Sequence, residues 1–69
     1  MKKYDERHGG PYDRGSADSY YGRPPIPHYY KGDTGMSDLI EMKDMSQEEI
    51  AAYWAGYDDN EEADNFKNF

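Results

Sequence analysis

The residues in this sequence that could do chemistry are two histidines, a run of carboxylates and a tract in which tyrosines alternate with arginines. His8 and His28 stand twenty residues apart, and neither has a second ligand at metal spacing. The run Asp58-Asp59-Asn60-Glu61-Glu62 lacks the glycine and the alternation of a calcium loop, so its first reading is a solvated face. No nucleophile sits in a recognisable frame and no glycine-rich phosphate loop follows a strand. Paired carboxylates alone do not make an acid–base site. The expectation is a protein that is not an enzyme, with no cofactor and no metal.

The tract "PYDRGSADSYYGRPPIPHYY", Pro11 to Tyr30, carries five tyrosines among glycines, prolines, arginines and aspartates. Tyrosine beside arginine suits base stacking with phosphate contact. Here Asp13 and Asp18 flank the arginines, which favours an aromatic core with Arg/Asp surface pairs. Pro24-Pro25-Ile26-Pro27 fits P-x-x-P, a polyproline ligand pattern that is common by chance. A rigid connector that packs Ile26, Tyr29 and Tyr30 against helices is the first reading.

Those residues must be positioned by very few elements. At 69 residues there is room for one domain, and a chain this short buries only about 60% of the surface its unfolded form exposes. Cysteine and valine are absent, and Ile26, Leu39, Ile40 and Ile50 are the only Ile or Leu. Eight tyrosines, Trp54, Phe66 and Phe69 therefore have to carry the packing, each ring burying on the order of 150–250 Å².

The clearest element is "MSQEEIAAYWAGY". Ser46 and Glu49 form an S-x-x-E capping box, with Met45 and Ile50 placed for a hydrophobic staple. Ile50, Tyr53, Trp54 and Tyr57 then recur at helical spacing as one buried stripe, giving a helix over 46–58. Asp58, Asp59, Glu61 and Glu62 oppose the helix dipole at its carbonyl end, which predicts fraying by Asn60. A first helix is expected over 11–21, opened by Pro11 after a flexible lead of residues 1–10 and closed by Gly22 in the left-handed region. Arg23-Pro24-Pro25 forbids its continuation. Met36, Leu39, Ile40 and Met42 are compatible with a short third helix near 37–42. The expected fold is an all-α two-helix module spanning residues 11–60, joined by a Pro/Gly-rich connector and followed by an acidic tail over 61–69.

Tyr12-Asp-Arg-Gly15 and Tyr53-Trp-Ala-Gly56 share the form aromatic-x-x-Gly. Glycine within a helix costs about 1 kcal/mol against alanine. A missing Cβ lets two backbones approach, so these glycines are candidates for the place where the helices cross.

Charge is unevenly divided. Residues 1–35 hold six Lys/Arg against five Asp/Glu, whereas residues 36–69 hold two against ten, which together give the net −7. Such a chain is repelled by phosphate backbones and suits basic partners. Asp58, Asp59, Glu61 and Glu62, with Phe66 and Phe69 as aromatic anchors, form the candidate protein-binding surface. Lys2, Lys3, Arg7, Arg14 and Arg23 form the alternative, a local basic face for RNA. No run of 18 apolar residues spans a membrane and no apolar stretch follows Lys2-Lys3 as in a secretory signal. With so little aliphatic content, a homodimer is a further way to bury the aromatic stripe.

At "PYDRGSADSYYGRPPIPHYY" and "SQEEIAAYWAGY" the chain resembles a group of short uncharacterised proteins encoded by tailed bacteriophages and prophages. That resemblance covers nearly the whole chain and implies a phage origin and the host bacterial cytoplasm. A fainter similarity is to ribosome modulation factor, a two-helix bacterial family, through Gly15, Ala17, Gly22, the Pro24 to Pro27 connector, Trp54, Gly56 and Tyr57. It implies a related helical fold and a ribosome partner, although that family is strongly basic and this chain is acidic. The expectation is thus a phage accessory protein that binds a host protein through its acidic carboxyl-terminal half, with a ribosome- or RNA-associated factor as the alternative.

Overall fold

The computed structural model describes residues 7–32 and 38–67. Lys2, Lys3, Met36 and Phe69 of the sequence reading lie outside them. The chain runs α1 (Pro11–Tyr20), β1 (His28–Tyr30), β2 (Leu39–Glu41), a 3-10 turn (Met42–Asp44) and α2 (Gln47–Ala63).

Helix α1 begins as the sequence predicts, with Pro11 in its first turn and Gly10 as the N-cap. The preceding glycines are held as well. Gly9 is buried, its N–H donates to the Asp13 carboxylate at 3.0 Å, and its carbonyl accepts the Tyr30 N–H at 2.7 Å. At the other end Gly22 takes the left-handed region (φ 68), where the Gly22 N–H reaches the Ser19 carbonyl and the Arg23 N–H reaches the Asp18 carbonyl. This paired closure satisfies two carbonyls that the helix end would leave bare.

Helix α2 has the expected capping box: the Glu49 N–H donates to Ser46 Oγ at 3.1 Å, and the Ser46 N–H donates to Glu49 Oε1 at 2.8 Å. It does not fray at Asn60 but runs to Ala63, where Asp64 closes it in the left-handed region (φ 55). The dipole penalty is offset by tertiary bonds. Tyr12 Oη donates to Asp59, Ser19 Oγ donates to Glu61, and Asn60 Nδ2 donates to Ser19 Oγ at 2.9 Å and to the Asn65 carbonyl at 2.7 Å.

The two helices cross where the aromatic-x-x-Gly echo placed them. A Cβ built on Gly15 would stand 1.8 Å from the Tyr53 carbonyl oxygen, and one on Gly56 would stand 2.0 Å from that of Tyr12. Each Tyr-x-x-Gly thus seats its glycine on the backbone of the other's tyrosine. Contact this close requires glycine at the crossing itself, which turns Ala52, Tyr53, Gly56 and Asn60 of α2 inward to face Gly15, Asp18 and Ser19 of α1. The expected stripe is therefore rotated: Tyr53 is fully buried, Ile50 and Tyr57 are half-buried, and Trp54 is 38% exposed.

The fold is mostly helical but not all-α. β1 and β2 pair antiparallel, with His28 opposite Glu41, Tyr29 opposite Ile40 and Tyr30 opposite Leu39. In place of the short helix near 37–42 there is a strand followed by a 3-10 turn. So short an apolar run fits a period of two as well as 3.6, and the proline-stiffened connector delivers Tyr29 as a cross-strand partner for Ile40.

Candidate functional site

Two polar assemblies stand out. The first is internal and centres on Asp18, which is only 3% exposed. The Tyr53 hydroxyl donates to its Oδ2. Arg14 and Arg23 bring guanidinium nitrogens to 3.9 and 3.6 Å of Oδ1, and His28 Nδ1 lies 3.8 Å from Oδ2. His28 itself is fixed at both ring nitrogens: Nδ1 meets the Ile26 carbonyl at 2.8 Å, and Nε2 accepts from Arg14 Nε at 3.2 Å. That pairing assigns a neutral ring with its proton on Nδ1. Burial, reinforced by the bond to Asp18, pushes the Tyr53 phenol well above its ordinary range. The arrangement satisfies a buried charge; as it stands, the imidazole has no nitrogen left to serve a nucleophile.

The second assembly is the outward face of α2. Gln47–Ala63 contains six carboxylates and no lysine or arginine. Two of them are tied to α1, Asp59 by Tyr12 and Glu61 by Ser19. Glu48, Asp58 and Glu62 are exposed and make no hydrogen bond or ion pair with the described residues. Trp54, Asp58 and Glu62 follow one another at four-residue steps and so share one helix face. Ring contacts with Tyr53 and Tyr57, at centroid distances of 5.6 and 5.7 Å, hold the indole in place.

Of the residues expected in the protein-binding surface, the fold therefore brings Asp58 and Glu62 to the open face and turns Asp59 and Glu61 toward α1. Phe66 is exposed beyond the end of α2, where the Lys67 N–H returns to the Tyr20 carbonyl at 2.8 Å. Trp54 was missed as a surface residue because its spacing to Ile50 and Tyr57 reads as core. Only the glycine crossing, which sets the rotation of α2, could have moved it outward.

The arginines expected to face RNA are engaged within the fold. Arg7 donates to the carbonyls of Tyr30 at 2.8 Å and Lys31 at 3.2 Å. Arg14 lies over the Tyr30 ring at 5.7 Å, and Arg23 over the Tyr21 ring at 4.6 Å. Glu49, bonded to Tyr29 and to the Ser46 backbone, is held below the usual carboxylate range, while the same bond raises the Tyr29 phenol. Among the described residues, no three His, Cys, Asp or Glu side chains converge as a metal site, and no helix is long and apolar enough to cross a membrane. Comparison with protein-family models, with curated proteins and with solved structures gives no significant match.

Proposed function

We propose that this chain is a non-enzymatic phage accessory protein that binds a basic or nucleic-acid-handling host protein in the bacterial cytoplasm through its acidic carboxyl-terminal half. The observation that carries the reading is the Trp54–Asp58–Glu62 face: an aromatic anchor flanked by carboxylates without partners on a helix that contains no cation. Aromatic anchors supply much of the energy of protein interfaces, and complementary charge supplies encounter rate and register. The phage and host assignments rest on the sequence resemblance alone.

A ribosome- or RNA-associated role is the second reading. The helix crossing favours it, because Gly15 and Gly56, the two glycines at the crossing, are among the positions that carry the similarity to ribosome modulation factor. It stands second because Arg7, Arg14 and Arg23 already bond to the protein's own carbonyls, imidazole and carboxylate.

A tagged pull-down from bacterial lysate, with and without nuclease, separates the two. The expected result is a basic host protein that survives nuclease and is lost from the Trp54→Ala, Asp58→Asn, Glu62→Gln variant. Recovery of ribosomal proteins that vanish with nuclease would overturn it in favour of the RNA reading.

A further inference from the structure

Strand β1 is covered on its outer side, because the Tyr30 N–H is taken by Gly9. Strand β2 is not. The register, with the Lys31 N–H bonded to the Asp38 carbonyl, makes Tyr29–Ile40 the bonded pair and turns the backbone polar groups of Leu39 and Glu41 away from β1. The Glu41 carbonyl, as N-cap of the 3-10 turn, accepts that turn's first bond. The Leu39 N–H, the Leu39 carbonyl and the Glu41 N–H are left along a free edge, and no backbone bond reaches them from the other described residues.

Beside this edge lies a groove of about 630 Å³ between the hairpin and the connector. It exists because α1 covers His28 and Tyr30 while β2 reaches past the helix. Pro24, Ile26 and Pro27 form one wall, and Leu39 and Met42 the other. Ile26, Leu39 and Met42 are the most exposed large apolar side chains among the described residues, at 63, 50 and 51%. An open strand edge and an apolar groove together make the two halves of a β-strand addition site: backbone bonds hold the added chain and the groove selects its side chains.

Charge decides the occupant. Asp38, Glu41 and Asp44 line the β2 edge and the following turn against Lys43 alone, and Arg23 across the groove is paired with Asp18. A second copy adding itself antiparallel about Ile40 would set this acidic edge against its like, on chains of net charge −7 each. A basic segment meets no such repulsion. We propose that the β2 edge takes an extended segment of a basic protein as a third strand, with one apolar side chain seated between Ile26, Leu39 and Met42. This deepens the reading of a basic partner and rests on it.

The test is a titration of the ¹⁵N-labelled full chain, followed by amide shifts, with two blocked peptides of equal charge. One is Lys-Val-Lys-Leu-Lys-Val-Lys; in the other, serine replaces each Val and Leu. The expected result is that the apolar peptide moves the Leu39 and Glu41 amides while the serine peptide does not. N-methylation of the peptide's central leucine, or Glu41→Pro in the protein, should weaken that binding about tenfold. Proline at Glu41 removes no hydrogen bond of the hairpin, because that N–H points away from β1. If both peptides bind and move only amides of α2 around Trp54, the third strand is overturned and the basic-partner reading stands. If neither binds, both fall. If the Leu39 and Glu41 amides move with protein concentration alone, the edge belongs to a second copy and the proposal is overturned.

Discussion

Asp18 is the residue on which most of the internal polar order converges. Removing one side of a buried charge cluster costs about 3–5 kcal/mol, because the groups left behind are desolvated without a partner. Asp18→Ala would leave the Arg14 guanidinium and the buried Tyr53 hydroxyl without their carboxylate, so it should lower stability by about that amount. In a chain this short that is most of the total, and urea unfolding followed by circular dichroism should show little or no folded baseline. Tyr53 makes the complementary prediction in alkali. Its phenol is raised first by burial and then by Asp18, so its contribution is complete below the unfolded value near pH 10 and is lost progressively as pH rises from there toward the raised folded value. Urea midpoints should therefore begin to fall near pH 10 and go on falling above it, and Tyr53→Phe should flatten that fall while lowering the midpoint at pH 7. The sequence pointed to Arg/Asp pairing around Asp18 but placed it at the surface. A single aspartate in an arginine-rich tract has no periodicity to announce burial; the burial comes from the helix crossing that sets Tyr53 above it.

At the scale of elements, the crossing itself is the part of the fold most legible in the chain, because a glycine in mid-helix is a cost that needs a reason. Gly15→Ala and Gly56→Ala should each destabilise despite alanine's helix propensity, since the new methyl meets a backbone carbonyl that no side-chain rotation can clear. An expected loss of about 2–3 kcal/mol each exceeds the ~1 kcal/mol that propensity returns. Thermal melts of the two variants check this, and a rise in midpoint for either would mean that the helices separate at little cost. The end of α2 was misread because the dipole argument considers the helix alone. Two of its four terminal acids bond to α1 and two do not, which predicts a split. Asp59→Asn with Glu61→Gln should lower the melting midpoint, whereas Asp58→Asn with Glu62→Gln should leave it unchanged or raise it slightly, a stability gain of about a few tenths of a kcal/mol. The hairpin was not legible, since three-residue strands fall below the length at which alternation can be told from helical spacing, and each of their residues pairs with one distant in the chain, as His28 does with Glu41.

For the whole molecule, the sequence showed where the charge lies but not which charges are free to act at a distance. The described residues span 30 × 27 × 21 Å, while electrostatic interactions between exposed groups decay over about 10 Å at 0.1 M salt. Salt therefore screens the mutual repulsion of the exposed acids on α2, at Asp38 and at Glu41, but hardly touches Asp18 inside its ring of partners. Because repulsion among exposed carboxylates is what dominates at long range on a chain of net charge −7, stability should increase as salt rises from roughly 10 mM to 0.5 M. A protein held together by surface ion pairs would respond in the opposite direction. Urea midpoints across that salt range distinguish the two, and repeating the series with the Asp58→Asn, Glu62→Gln variant assigns the effect: if those two acids supply the repulsion, the variant's salt slope shrinks. The same two groups are the ones set aside here for a basic partner, so a slope that persists unchanged in the variant would show that the open face of α2 is not where the molecule's unbalanced charge resides.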